Sequence, residues 1–442
     1  MYDPFVDKTL NSQQPVADSY WQSTTSSPSF STLDSSKQVD VAIIGSGYTG
    51  LNCAINLAQQ GVTDVAVVEA NSIGWGCSSR NAGFVLPGSG RLSYQQLVDR
   101  FGQDNAKELH TQYMDAIDLV QSRVELISDK ADKTENGYLK LAHSPNWFSK
   151  LSKSADYLAN NFDYEVETFS KSEFQSQFVD HQKVYGAIRY KNGFGINPLK
   201  LVNQYTKMAT ELGVKLYSHS PVIDLEQNQN NGHKIITNQG EITANKVVVA
   251  TNGYTPKGLN TPLANKILPV LTSVIVTRPL TVEELKAANF LSHQVMMDTR
   301  ELKYYYRLLP DNRILFGGRS AISGKAASNP KYQQRLLNEL KETFIGLEKV
   351  TIDYVWSGWI SVAFDEMPHL FKTENDIYYA TGYCGSGVSF SAWAGNELAN
   401  LIVGKNTRSP LYSELPKFPF APIRRIGQSL FYQYGRIKDA IG

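Results

Sequence analysis

The chain has 442 residues, a length that suits two or three domains of roughly 150 residues each. Hydrophobic residues make up 42% and charged residues only 19%, which excludes a disordered chain or a long coiled coil. Lys plus Arg (43) against Asp plus Glu (42) leaves a net charge of +1, which supplies no field to draw nucleic acid.

Three cysteines (Cys53, Cys77, Cys384) are too few and too scattered for a disulfide framework or a zinc site, and no metal is expected. Met1 to Asn11 lacks the basic and apolar regions of a signal peptide, and no apolar run approaches the ~18 residues of a membrane span. A cytoplasmic globular protein is expected.

Residues 1–37, rich in Ser, Thr and Gln, read as an arm on the surface pinned by Ser19-Tyr20-Trp21. Val39 to Ile44 is a β-branched apolar run that suits a strand buried on both faces. Leu51 to Gln60 has helical spacing, Gly61 ends it, and Asp64 to Glu69 reads as a second buried strand, completing a βαβ unit. Tyr94 to Lys130 carries long polar helical patterns. Strand character returns at Val214–Leu216, Lys246–Thr251, Ser273–Thr277, Tyr304–Leu308 and Ile314–Gly317, followed by a charged helix from Pro330 to Thr343. A last strand, Ile377–Ala380, meets a glycine turn and a helix from about Gly387 to Val403.

This order predicts an α/β fold in which 38–95, 196–262 and 346–410 form a discontinuous nucleotide domain. A substrate domain from 96–195 and 263–345 is inserted between the pieces, and 411–442 ends the chain as a helix. That last helix is basic and amphipathic from Ile423 to Lys438. It reads either as a membrane-surface helix or, the favoured reading, as one packed on the body with its charges solvated.

Gly45-Ser46-Gly47-Tyr48-Thr49-Gly50 matches G-x-G-x-x-G between a buried strand and a helix, and Glu69 ends the next strand 24 positions after Gly45. Gly45 suits the tight turn, Gly47 the close approach of a pyrophosphate, and Gly50 the packing of helix on strand. The helix N-terminus faces phosphate, and Glu69, with Ala70 beside it, accepts from ribose hydroxyls. An acid at this position disfavours a 2′-phosphate, hence NADP.

A second loop follows: Gly74-Trp75-Gly76-Cys77-Ser78-Ser79-Arg80-Asn81-Ala82-Gly83. Its small and hydroxylated residues allow close backbone approach and hydrogen bonds to phosphate oxygens, and Arg80 offsets diphosphate charge or sits over the substrate. A domain that binds only NAD needs no such loop; a longer dinucleotide with an isoalloxazine does.

In these motifs the chain resembles the D-amino-acid-oxidase-like FAD oxidoreductases. The branch is that of γ-glutamylputrescine oxidase and the bacterial L-pipecolate and sarcosine-type oxidases. The resemblance also rests on Ser19-Tyr20-Trp21, Gly195-Ile196-Asn197-Pro198, Ala250-Thr251-Asn252-Gly253-Tyr254-Thr255 and Tyr306-Arg307 with Leu315-Phe316-Gly317-Gly318. It continues through Met367-Pro368-His369 and Gly382-Tyr383-Cys384-Gly385-Ser386-Gly387-Val388.

The resemblance implies a GR2-type Rossmann-like FAD-binding domain with an inserted mixed-sheet substrate domain. It implies that Val222 meets the adenine, that Ala250, Thr251, Asn252 and Gly253 line the ADP half, and that Trp356 and Gly358 approach the cofactor. Gly385, Ser386, Gly387 and Val388 are expected to aim a helix N-terminus at the flavin pyrimidine, where reduced flavin carries negative charge. The activity implied is oxidation of an amine or amino-acid C–N bond: a hydride equivalent passes to flavin N5, the imine hydrolyses, and dioxygen or a quinone-type acceptor takes the electrons.

The chain departs from relatives in three places. Glycine- and D-amino-acid-type oxidases carry a carboxylate-gripping Arg after a Trp-x-Gly stretch, whereas Trp356-Ser357-Gly358 precedes Trp359-Ile360-Ser361. A substrate carboxylate then needs Arg80, Lys303 or Arg307, and a simple amine gains plausibility. The same stretch holds no Cys, so FAD is expected to be noncovalent. Cys384 and Ser386 stand where close relatives often have Ser and His.

Arg80, Lys303, Tyr306 and His369 are the substrate-side candidates. His369 is read as a structural residue near the flavin or as a base. Tyr304 and Tyr306 share one strand face and Tyr305 the other; one side cages a cationic substrate, or the run is sheet packing. Cys77 and Cys384 read as small packing residues beside the cofactor. The substrate ranking places γ-glutamylated or other amines first and a cyclic amino acid such as pipecolate second. An FAD dehydrogenase feeding the respiratory chain is the rival reading.

Overall fold

The computed structural model describes residues 1–227, 232–259 and 261–441. The β-branched run after residue 38 forms the centre of the first sheet. Ser36–Ile44 is flanked in parallel by Val65–Val68 on one side and Glu241–Val249 on the other. Lys215–Tyr217 extends one edge in parallel. Ile377–Thr381 joins the C-terminal half of Glu241–Val249 in parallel, and His369–Lys372 closes that edge antiparallel. A hairpin, Val222–Gln227 with His233–Thr237, pairs with the N-terminal half of Glu241–Val249.

The strand residues Ala42, Ile43, Ala66, Val67, Val247 and Val248 are all fully buried, which is why the run is continuous and does not alternate. Three helices, Tyr48–Gln59, Pro198–Glu211 and Phe390–Ile402, pack together through residues such as Leu51, Ile55, Leu201 and Leu398. Pro198 starts the second of these behind Asn197, whose side chain accepts from the Leu199 and Lys200 amides.

The second sheet is mixed. Its order runs Ile352–Ala363, Ile267–Thr277, Ile314–Arg319, Tyr305–Leu308, Val295–Asp298, Tyr138–Leu141, Gly186–Tyr190 and Glu167–Ser170. Only Val295–Asp298 with Tyr138–Leu141 is parallel.

Two segments lie elsewhere than the proposed division placed them. Ile352–Ala363, assigned to the cofactor piece 346–410, pairs antiparallel with Ile267–Thr277 from Ala363 against Ile267 to Ile352 against Thr277. It reaches the cofactor side as an edge strand of the second sheet. The helix Gln103–Val124, assigned to the substrate piece 96–195, packs on Phe390–Ile402 and Pro198–Glu211. Leu109, Tyr113, Ile117 and Val120 form its buried stripe, with Tyr113 edge-on to Phe390. Gly102, at φ +81°, breaks the predicted long helix between Tyr94–Phe101 and Gln103–Val124.

The N-terminal arm is more deeply embedded than a surface strap. Tyr2, Leu10, Trp21 and Leu33 are buried. The Trp21 indole donates to the Asn81 carbonyl at 2.9 Å, and Trp359 donates to the Tyr2 carbonyl at 2.8 Å. The C-terminal helix Arg424–Ile441 is packed on the body. No helix among the described residues is long and apolar enough to cross a membrane.

Candidate active site

The Gly45–Gly50 turn is built by close approaches that only glycine permits. Gly45 sits at φ +103°, and a Cβ there would lie 3.0 Å from the Ala250 carbonyl oxygen. A Cβ at Gly50 would lie 2.0 Å from the Gly45 carbonyl oxygen, so this glycine lets the helix start against the strand end. Gly47 precedes the helix and supplies no side-chain cap of its own, and the Tyr48 amide is the first-turn amide that a loop side chain, Ser78, takes up.

Glu69 ties the turn to the second loop. One carboxylate oxygen accepts from the Ser46 amide at 3.0 Å and the Ser46 hydroxyl at 2.8 Å, and that hydroxyl accepts from the Gly74 amide at 2.9 Å. Ser78 Oγ accepts from the Tyr48 amide at 3.0 Å.

One large cavity runs from this turn to the second sheet. Its dinucleotide end is lined by Gly45, Gly47, Tyr48, Thr49, Glu69, Ala70, Gly76, Cys77, Ser78, Asn81, Ala82, Val222, Ala250, Thr251 and Asn252. Gly358, Gly385, Ser386, Gly387 and Val388 line its middle, beside the N-terminus of Phe390–Ile402. Arg80 lies beside Gly358, and at the far end stand Lys303, Tyr305, Arg91 and Arg319.

The remaining residues named from sequence stand behind this surface. Ser46 and Ser79 are buried, Gly83 packs on the Ile196 carbonyl, and Gly253 lets its loop pack on the Ile360 backbone. Trp356 donates to the Arg80 carbonyl at 2.8 Å, holding the loop without lining the cavity.

Three substrate-side candidates, Tyr306, His369 and Arg307, do not line the cavity. Tyr306 faces away from the cavity: its hydroxyl lies 2.5 Å from His181 Nε2, and its ring stacks on Phe316. Tyr305, on the opposite face, is the tyrosine of the cavity, with burial raising its hydroxyl to about 12.

His369 does not line the cavity either. Its Nε2 lies 3.0 Å from Asp365 and its Nδ1 3.1 Å from Ser413. Burial opposes ionisation of Asp365, but His369 and Arg100 hold its carboxyl down at about 2. The pair fixes a loop.

Arg307 is fully buried, donating to the Ile196 carbonyl at 2.5 Å and stacked over Trp21, and burial lowers it to about 10. It is unavailable to a ligand.

Arg80 stays in the cavity wall. Its Nε donates to the Trp75 carbonyl at 2.9 Å, its guanidinium lies 4.4 Å from the Trp75 ring centroid, and its buried Nη2 has no partner among the described residues. Lys303 is lowered to about 7, by burial first and then by Lys140, Arg91 and Arg319. Burial also lowers Arg319. Arg91 is compensated by Glu366 at 3.1 Å and Glu301 at 3.9 Å. Lys303 and Arg319 have no acidic ion-pair partner among the described residues, which leaves uncompensated positive charge at this end of the cavity.

Arg319 and Arg91 were not singled out from sequence. The signal for Arg319 was an Arg ending an apolar strand directly after Gly317-Gly318. Cys77 and Cys384 line the cavity with thiols that burial raises to about 11 and about 12, so both are protonated packing groups at neutral pH. No metal-binding cluster occurs among the described residues.

The helix N-terminus, the glycine cradle and the partnerless Nη2 of Arg80 all suit an anionic dinucleotide, and the cavity extends beyond it to a second chamber. This fits FAD.

Comparison with known proteins agrees. The family model for FAD dependent oxidoreductases (DAO) matches residues 40–401. The chain is 30% identical to γ-glutamylputrescine oxidoreductase of Escherichia coli (strain K12) over 396 residues, 88% of this chain and 90% of that protein. It is 29% identical to the probable oxidoreductase OrdL of Haemophilus influenzae over 408 residues, 91% and 92% of the two chains. The fold matches glycine oxidase from Geobacillus kaustophilus with a TM-score of 0.71 at 20% identity, covering 86% of this chain and 100% of that one. The chain belongs to the DAO family of FAD-dependent oxidoreductases.

Proposed function

We propose that this enzyme oxidises the C–N bond of an amine that carries a carboxylate away from the reacting nitrogen, as a γ-glutamylated amine does. The observation that carries the reading is the pair of uncompensated cations, Lys303 and Arg319, at the far end of the cavity. An anionic group there relieves the cost of two buried like charges, and each charge-assisted hydrogen bond contributes roughly 1.5–3 kcal/mol. The missing Arg after Gly358 removes the grip on a carboxylate at that strand, and Lys303 with Arg319 supplies another. The similarity to γ-glutamylputrescine oxidoreductase supports the same substrate class.

FAD would lie with its adenine end near Val222 and Glu69, its diphosphate on the Gly45–Gly50 turn and the Ser78–Asn81 loop, and its ring system toward Gly358 and Gly385–Val388. When bound it accepts the hydride equivalent from the carbon beside nitrogen. The chain's own residues orient the substrate: Tyr305 and Met297 wall the chamber, while Lys303 and Arg319 hold the tail. The amine must react as the free base, since its lone pair drives C–H cleavage. The protonated thiols of Cys77 and Cys384, and the absence of Cys from residues 356–361, support a noncovalent cofactor.

A peroxide-coupled panel tests the reading: γ-glutamylputrescine, putrescine, sarcosine, L-pipecolate, L-proline and D-amino acids. Turnover of the γ-glutamylated amine at least tenfold above putrescine is expected. Turnover confined to small free amino acids contradicts it and favours the cyclic amino-acid reading. Flavin reduction without peroxide on re-aeration identifies a dehydrogenase.

A further inference from the structure

The C-terminal helix Arg424–Ile441 packs with inverted amphipathicity. Its inner face is polar: Gln428 and Tyr432 are buried, the Asp439 carboxylate accepts from the Glu301 and Leu302 amides at 2.7 and 3.0 Å, and Arg425 pairs with Asp3. Gly435 sits where a Cβ would lie 3.0 Å from Leu302. The apolar residues instead point outward. Ile423, Ile426, Leu430, Tyr434, Ile437 and Ile441 recur at helical spacing and are 54%, 58%, 66%, 53%, 62% and 82% exposed. Phe420 prolongs the stripe at 81% exposure. The folded body leaves this face unused, and a face of this kind signals contact with something else.

We propose that this face docks on an anionic phospholipid surface. Charge selects that occupant. Of the six Lys or Arg residues from Arg408 to Asp439, Arg425 pairs with Asp3 and Lys438 with Glu301, and Arg408, Lys417, Arg424 and Arg436 have no acidic partner among the described residues, in a chain whose net charge is +1. Arg436 and the Glu301-paired Lys438 lie on the two flanks of the stripe by helical spacing, and Arg408 and Lys417 are exposed in the segment that precedes the helix. A second copy laid on the same stripe would bring these like charges together, whereas an anionic headgroup layer neutralises them. An apolar stripe with aromatic residues and basic flanks is the pattern of a helix lying in the plane of a membrane interface. The helix also backs the substrate end of the cavity: Phe431 packs under Arg91 at 6.0 Å, and Leu302 precedes Lys303. The docked face and the substrate chamber therefore share one side of the molecule.

Cosedimentation of the flavin-loaded protein with vesicles tests this. Vesicles of phosphatidylglycerol and phosphatidylcholine are expected to pellet the protein at low salt, and phosphatidylcholine alone at least about tenfold less. Raising the salt is expected to release it. Leu430→Ser with Ile437→Ser, both on the outer face, is expected to cut partitioning by at least about tenfold with flavin content and Tm unchanged, and Arg436→Glu is expected to weaken it further. The proposal is overturned if the protein stays in the supernatant with both vesicle types. It is equally overturned if the outer-face double variant pellets like the parent, or if sedimentation velocity shows a dimer that this variant splits. That last outcome assigns the stripe to a second copy.

Discussion

Glu69 grips Ser46 with a single carboxylate oxygen, taking both the backbone amide at 3.0 Å and the hydroxyl at 2.8 Å, while the Ser46 hydroxyl accepts from Gly74 at 2.9 Å. The acid at the end of the second strand thus holds the glycine turn and the following loop in one network. Glu69→Ala leaves a buried amide without its acceptor, at a cost of about 1–3 kcal/mol. The expected result is a lower Tm and a flavin-to-protein ratio reduced at least severalfold after desalting. Glu69→Gln, which still offers an acceptor, should retain more flavin than Glu69→Ala.

The glycine turn makes a graded prediction. Gly50→Ala places a methyl 2.0 Å from the Gly45 carbonyl oxygen, which forces helix and strand apart. Gly47→Ala meets only the Ser78 hydroxyl at 3.0 Å. Flavin content measured by absorbance should fall to near zero in the first and only partly in the second. In the parent protein, acid should release intact FAD.

Tyr305 and Tyr306 separate site from scaffold. Tyr305→Ala is expected to lower kcat/KM at least tenfold with Tm little changed. Tyr306→Phe should leave kcat/KM within about twofold and lower Tm, because it strands the His181 ring nitrogen in the outer core.

How far the sequence led is visible in these residues. The strand–turn–helix–strand unit and its glycines were legible because their chemistry is local: backbone conformation, a helix terminus and a strand-end acid. The alternation of Tyr304, Tyr305 and Tyr306 was legible too, but which face meets the cavity depends on how the second sheet is laid on the first. The strand Ile352–Ala363 reads like its neighbours in sequence, and only its long-range pairing with Ile267–Thr277 places it in the second sheet. Of the two partners of His369, Asp365 stands four residues before it, but Ser413 lies 44 residues away and has no local sign. Arg319 went unnoticed because its meaning comes from Lys303 beside the same cavity, not from its own strand.

Acid stability follows from His181. Burial holds its imidazole down at about 3, and it accepts from the Lys183 amide, so the ring is neutral in the folded protein. Its unfolded value is near 6.5, so the unfolded chain binds the extra proton between about pH 6.5 and 3. Stability from this group is complete above pH 6.5 and is lost as pH falls toward 3, on the order of 3–5 kcal/mol across the window. Denaturant titrations from pH 7 to 4 should show that slope. His181→Gln, which keeps a donor and does not titrate, should flatten it.

Lys303 predicts an alkaline limb. Its ammonium is lowered to about 7, by burial first and then by neighbouring cations, so the free enzyme loses this charge as pH rises through 7. Deprotonation of the substrate amine raises kcat/KM with pH, and loss of the Lys303 charge lowers it for a carboxylate-bearing substrate. The γ-glutamylated amine should therefore give a bell, and putrescine, without a carboxylate, only the rising limb. Lys303→Met should remove the falling limb with flavin retained.

Anaerobic rapid mixing tests the central claim most directly, by following the loss of bound-flavin absorbance with γ-glutamylputrescine and with putrescine, in the parent and in Arg319→Met. The account predicts rapid reduction by the γ-glutamylated amine, slower reduction by putrescine, and an Arg319→Met protein that keeps its flavin but shows at least tenfold weaker saturation with the first substrate alone. Equal reduction by both amines, or an Arg319→Met protein indistinguishable from the parent, would contradict it.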